Sequence, residues 1–273
     1  MFLPLFKNIY KTAPFILFLC LTYHLFSGTA LGSAETNIPA AVQARLDALV
    51  DLSVSEIDPG ERIRRISHEM LGTLYRSGTL VGGPEVPERL VVRLDAFDCL
   101  TFLETVEALR RSRQGSDFRE HLRDVRYFGG VVSYPTRRHF FSDWIRPGEG
   151  RLQDVTSRIG GDRVFSVTKQ LNRKSADALW LAGMPVTTRT IHYIPAGLID
   201  AAVLAGLQDG DYVGIYTDQP GLDVSHTGLI VKTNDAIMLR HASSRRDVAR
   251  VIDEDLVAYL HNKPGLIIYR AMQ

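Results

Sequence analysis

Phe97-Asp98-Cys99-Leu100-Thr101-Phe102-Leu103-Glu104 is the stretch from which the fold reads outward. Apolar residues recur at Leu100, Leu103, Val106 and Leu109, with charges at Glu104, Glu107 and Arg110. That spacing predicts an amphipathic helix. Asp98 is a favourable N-cap and places Cys99 in the first turn. Free backbone amides and the helix dipole favour a thiolate there, and helix starts lower a thiol pKa from its ordinary value of about 8.5. A nucleophilic cysteine also needs a base. Two downstream histidines are candidates: His226 in Ser225-His226-Thr227-Gly228 and His241 in Arg240-His241-Ala242-Ser243. The alternative for Cys99 is a buried structural thiol.

The start of the chain bears on that choice. Residues 1–34 read as a secretory signal peptide. Lys7 and Lys11 supply the positive region, and Ala13 to Phe26 is almost wholly apolar. Gly32-Ser33-Ala34, or alternatively Gly28-Thr29-Ala30, offers small residues at the cleavage position. The apolar run is short for a membrane span of about 20 residues, so cleavage is expected rather than an uncleaved anchor. Cys20 then leaves with the peptide, and Cys99 is the one cysteine of residues 35–273. Exported proteins meet an oxidising compartment where cysteines normally pair. A leftover thiol is an intermolecular partner or a reactive group, and the helix start favours the second. The expectation is an exported, periplasmic protein with no stable membrane span after cleavage.

Residues 35–273 are expected to form a single catalytic domain. The net charge of +1 argues against nucleic acid as a partner. Residues 38–80 look helical, with Val42, Leu46, Leu49 and Val50 in one run and Ile63, Ile66, Met70 and Leu74 in another; Asp58-Pro59-Gly60 breaks between them. His68 is expected on the surface. Gly82-Gly83-Pro84 reads as a turn, and Leu90 to Leu94 as an extended segment. Residues 117–128 read as helix or strand. Tyr134 to Ile145 crowds basic, aromatic and acidic groups, as a ligand-binding loop or a mixed helix face does.

The later part turns to strands. Val155 to Leu171 is expected as strand and Ser175 to Leu181 as helix. Asp211 to Thr217, His226 to Lys232, Ile237 to His241 and Leu266 to Tyr269 read as strands, with Asp253 to Leu260 a short helix. Helices followed by an antiparallel sheet give an α+β fold. Alternation puts His226, Gly228 and Ile230 on one strand face and Thr227, Leu229 and Val231 on the other. His226 starts one strand and His241 ends the next, so a short turn brings them side by side. That suits a base and the group that orients it. Two ligands are too few for zinc, which takes three or four; no metal or cofactor is expected.

At these residues the sequence resembles the DUF1460 family of N-acetylmuramoyl-L-alanine amidase-like proteins, within the papain-like NlpC/P60 superfamily. The matching stretches are Gly72 to Tyr75, Phe97 to Glu104, Thr136 to Phe140, Ser142 to Ile145, Gly221 to Gly228 and Arg240 to Ser243. The resemblance implies a papain-like core, with the cysteine-bearing helix packed on an antiparallel sheet. It implies Cys99 as nucleophile, His226 as base and His241 as the orienting residue. It also implies an active-site tyrosine at Tyr75 and further substrate-side residues at Asp98, Arg137, His139 and Trp144. Arg137 would pair with a stem-peptide carboxylate and Trp144 would pack on sugar or peptide. The superfamily usually has Asp-Cys-Ser-Gly where this chain has Asp-Cys-Leu-Thr, which favours the DUF1460 branch. The expected reaction is hydrolysis of the amide between the MurNAc lactyl group and L-Ala in peptidoglycan or muropeptides. The alternatives are an endopeptidase cutting between D-Glu and the diamino acid, and an inactive cell-wall binding module.

Overall fold

Helices come first and a sheet follows. The computed structural model describes residues 38–55, 58–145 and 151–272; the signal-peptide expectation for residues 1–34 lies outside them. The helix α1 (Ala40–Asp51) is followed by α2 (Pro59–His68) and two short parallel strands, β1 (Leu74–Tyr75) and β2 (Ala96–Phe97). Asp58 and Pro59 begin α2. The Asp58 carboxylate accepts from the Glu61 amide at 2.8 Å, and Pro59 sits in the first turn, where an N–H has no helical partner to lose. Leu74 belongs to β1 rather than to the helix, and Leu90 to Leu94 forms no strand. Next come α3 (Cys99–Arg111) and α4 (Phe118–Arg126), which settles the 117–128 region as helix.

The rest of the chain runs through β3 (Leu152–Asp154), α5 (Thr156–Gly160), β4 (Phe165–Leu171), β5 (Thr187–Pro195), α6 (Ala201–Gly206), β6 (Tyr212–Tyr216), β7 (Val224–Lys232), β8 (Ile237–Ala242), β9 (Val251–Asp255), α7 (Leu256–Leu260) and β10 (Gly265–Ala271). The strand order is β4-β5-β10-β6-β7-β8-β9, with β3 beside the end of β10. Every pairing in this sheet is antiparallel, as expected of the α+β class. Three local expectations change. Val155 to Leu171 divides into α5 and β4. Ser175 to Leu181 is an irregular connection between β4 and β5. Asp253 to Asp255 completes β9, and the helix begins at Leu256.

Two apolar clusters sandwich the sheet. On one face α1 to α4 bury Leu46, Ile63, Phe102 and Leu122 with Leu229, Ala242 and Tyr269 of the strands. On the other, Val203 of α6 and Leu256 and Leu260 of α7 pack with Ile230, Leu239 and Ile268. The alternation of β7 follows from this, with Leu229 facing α3 and Ile230 facing α7.

The helix α3 is more deeply buried than its pattern predicts. Thr101 to Leu109 are all buried, including Glu104 and Glu107 at 1% exposure each. These carboxylates do not mark a solvent face. Glu104 pairs with Arg126 at 2.7 Å. Glu107 pairs with Arg110 at 2.7 Å and accepts from the Tyr212 hydroxyl at 2.8 Å. Buried charges persist when partnered in this way, so a periodicity resembling a surface helix belongs to a central one.

Candidate active site

Cys99 is placed by the cap of its helix. The Asp98 carboxylate accepts from the Leu100 amide at 3.1 Å and the Thr101 amide at 2.8 Å. The Thr101 hydroxyl accepts from the Asp98 amide at 2.9 Å, completing a capping box. Asp98 therefore acts through the backbone that presents the cysteine. The helix start is also tied to the sheet, because the Thr227 hydroxyl donates to the Cys99 carbonyl at 3.0 Å. Thr227 is the neighbour of His226 on β7. Burial, and then the Asp98 charge, push the Cys99 thiol pKa up. The helix-start effect expected from sequence is outweighed, and the resting group is a thiol.

The histidines lie as the strand pattern predicted. Nε2 of His226 is 2.7 Å from Nδ1 of His241, and their rings stand nearly perpendicular. The relay continues beyond them: Nε2 of His241 is 2.7 Å from Oε2 of Glu254 on β9. Arg245 holds the other oxygen of that carboxylate at 2.9 Å. Glu254 was not singled out from sequence, because β9 was not. Gly228 makes the approach of β7 and β8 possible. A β-carbon on it would meet Leu239 Cδ1 at 2.6 Å, the Arg240 carbonyl oxygen at 2.9 Å and His241 Cβ at 3.1 Å. The β6–β7 register shifts at Ser225, one residue before His226, as a β-bulge. Bulges of this kind re-aim the side chains beside them.

Tyr259 of α7 lies beside both rings of the relay. Its ring centroid lies 6.0 Å from that of His226 and 5.1 Å from that of His241. Burial, then the charges of Glu254 and Cys99, raise its hydroxyl pKa to about 12. Tyr75 is raised by burial, then by Cys99 and Asp98. Both tyrosines thus lie within electrostatic reach of the thiol. Burial chiefly, then His241 and Lys263, pull His226 down to about 3. Burial also lowers His241, against the opposing pull of Glu254. Both rings are neutral near pH 7. Among the described residues no hydrogen bond joins Cys99 Sγ to either histidine. A recess of about 510 Å³ lined by Arg245, Glu254, Tyr259 and Lys263 opens beside the relay.

The remaining expected site residues, Arg137, His139 and Trp144, make contacts within the protein. Trp144 is only 5% exposed and packs against Phe141 and Tyr212 in the core. Arg137 pairs with Glu88 at 3.1 Å and donates to the Gly82 carbonyl at 3.3 Å. Its guanidinium ties two loops together. Nε2 of His139 lies 2.9 Å from the Tyr134 carbonyl oxygen, with the two rings edge to face. The crowded 134–145 stretch is a loop with two 3₁₀ turns, Tyr134–Thr136 and Phe141–Ile145, whose polar groups pair with one another and with Glu88, Asp223 and Arg189. Among the described residues no group of three or more His, Cys, Asp or Glu side chains is placed to hold a metal ion.

The model of the AmiA-like family, described as N-acetylmuramoyl-L-alanine amidase-like, matches residues 65–266. The chain belongs to this family. The matched span takes in Cys99, His226, His241 and Glu254, so this AmiA-like chain carries its candidate site inside the family region. It is similar to a solved N-acetylmuramoyl-L-alanine amidase from Bacteroides uniformis ATCC 8492, with 28% identity and a TM-score of 0.67 over 79% of this chain and 99% of that one. A Legionella pneumophila protein of family DUF1460 shares the fold at 22% identity, with a TM-score of 0.72 over 85% of this chain and 95% of that one. A Bacteroides fragilis protein provisionally named a xylanase matches at 28% identity and a TM-score of 0.62, over 75% and 98% of the two chains. No curated protein matches this chain. Among the described residues no helix is long and apolar enough to cross a membrane.

Proposed function

We propose that this AmiA-like chain is an exported cysteine amidase that hydrolyses the amide between the MurNAc lactyl group and L-Ala in peptidoglycan or its fragments. In this reading residues 1–34 are a cleaved signal peptide, residues 35–273 are one catalytic domain in the periplasm, and the core is of the papain-like NlpC/P60 type. The observation that carries it is the pinning of the Cys99 turn to Thr227, the residue next to the His226–His241 pair.

The chemistry follows from the protonation states. A protonated thiol and a neutral imidazole that accepts its proton form a general-base pair. His226 takes the thiol proton as Cys99 Sγ attacks the carbonyl carbon of the scissile amide. The Leu100 and Thr101 amides are engaged by Asp98, which leaves the Cys99 amide as the helix-start donor for the oxyanion. Imidazolium His226 protonates the leaving amine of L-Ala, and the C–N bond breaks to give a thioester. Water, deprotonated by His226, attacks that thioester and releases the lactyl carboxylate and the Cys99 thiol. His241 orients the base throughout, and Tyr75 and Tyr259 lie within electrostatic reach of the reacting sulfur.

Alkylation against chelation tests this mechanism. Iodoacetamide is expected to abolish turnover of a defined muropeptide, Cys99→Ala to do the same without unfolding, and EDTA to leave activity unchanged. Loss of activity in EDTA that zinc restores would overturn the cysteine mechanism.

A further inference from the structure

His226 and His241 each have two ring nitrogens. In a neutral ring one carries the proton and the other a lone pair. Glu254 removes the ambiguity about which is which. A carboxylate only accepts, so Nε2 of His241, 2.7 Å from Oε2 of Glu254, carries that ring's proton. Nδ1 of His241 then holds the lone pair, and Nε2 of His226, 2.7 Å away, donates to it. Nδ1 of His226 is left bare. We propose that Glu254 is a positioning residue that sets this direction of donation through His241 and thereby makes Nδ1 of His226 the atom that receives the cysteine proton. The proposal rests on the reading of His226 as the base of Cys99.

The arrangement gives a defined proton path. The thiol proton moves to Nδ1 of His226, and no other proton leaves its atom. The imidazolium so formed donates from Nε2 to His241, which in turn donates to Glu254, so the new positive charge is met by a carboxylate one ring away. The charge of Lys263 opposes a proton on His226, Asp253 and Arg245 act on His241 with opposite signs, and the Tyr259 ring lies 6.0 Å from that of His226 and 5.1 Å from that of His241. Among these, Glu254 is the carboxylate in hydrogen-bond contact with the relay. The logic is that of a buried acid fixing a catalytic histidine's tautomer, where replacing the acid by its amide reverses the ring's hydrogen bonds.

Arg245 makes the corresponding substitution informative. Its Nη1 forms an ion pair with Oε1 of Glu254 at 2.9 Å. In Glu254→Gln the amide oxygen turns to this guanidinium, and the NH₂ group faces His241. A donor there requires a lone pair at Nε2 of His241, which moves the proton to Nδ1, and Nδ1 then donates to His226. Nδ1 of His226 becomes protonated and is no longer a base.

Nitrogen-15 NMR of the histidine-labelled chain reads these states directly, apart from any activity. In the wild type both rings are expected to be protonated at Nε2; in Glu254→Gln both are expected to be protonated at Nδ1. With the tautomers reversed, kcat on a muropeptide is expected to fall by about 10²- to 10⁴-fold, with KM little changed. A wild-type His226 protonated at Nδ1, or unchanged tautomers in Glu254→Gln, overturns the proposal without appeal to turnover. Reversed tautomers with wild-type kcat would leave the direction of donation standing and overturn the role of His226 as base.

Discussion

The guanidinium of Arg137 points at Glu88, whose side chain is 2% exposed. From sequence, residue chemistry and the matched motif lead to the expectation that this arginine meets a substrate carboxylate; a sequence does not show that Glu88 is near. Truncation to Arg137→Ala leaves Glu88 without its cation, and breaking a buried pair costs about 3–5 kcal/mol. The expected result is a lower melting temperature with an unchanged KM for the folded enzyme, checked by calorimetry and steady-state kinetics. A raised KM at unchanged stability would return Arg137 to the substrate. Cys99 teaches the complementary lesson. Its capped helix start was legible, but burial was not, and burial decides the thiol's charge. Alkylation by iodoacetamide is therefore expected to accelerate with pH up to and beyond the ordinary thiol range. A rate already on its plateau at neutral pH would mean a preformed thiolate.

At the scale of elements, α3, β6, β7 and β8 were legible because their apolar periodicity is clean and their ends carry turn residues. The strand β9 was not. Val251-Ile252-Asp253-Glu254-Asp255 carries three consecutive acids, a pattern that reads as the start of a helix. In the fold those acids are spent on partners: Asp253 on Arg240 at 2.7 Å, Glu254 on His241, and Asp255 on the Ala258 amide at 2.8 Å as the cap of α7. Missing the strand meant missing the end of the relay. The β7–β8 pair depends on Gly228 in turn. In Gly228→Ala the added carbon would press on the Arg240 backbone oxygen and on Leu239, and overpacking of this kind costs about 1–3 kcal/mol. Urea unfolding is expected to show that loss, and kcat to fall as His241 moves with its strand. Wild-type stability in Gly228→Ala would show that the strands have room to spare.

At the scale of the whole molecule, burying a neutral relay links stability to pH. His226 is held at about 3, against 6.5 for the free group. Above the higher value both folded and unfolded chains keep it neutral. Between the two values only the unfolded chain binds the proton, so stability is lost as pH falls through that window. Raised carboxyl pKa values at Glu104, Asp211 and Asp223, each caused mainly by burial, work in the opposite sense. The difference between wild type and His226→Gln isolates the histidine. The wild type's melting temperature is expected to drop relative to the variant's as pH is lowered below 6.5, and a gap constant across that range would contradict the buried, neutral state.

The α+β class was legible because local periodicity is enough to order helices before strands. The packing of α3 between a sheet and three other helices was not, since its buried Glu104 and Glu107 look like surface residues until Arg126, Arg110 and Tyr212 are seen beside them. In the proposed function this assembly presents Cys99 to one particular amide, and mass analysis of the products from a defined muropeptide tests that. The wild-type chain is expected to release the intact stem peptide beginning at L-Ala, together with the MurNAc sugar bearing a free lactyl carboxylate, and Cys99→Ala to release neither. A cut between D-Glu and the diamino acid, or the same products from Cys99→Ala, would contradict it.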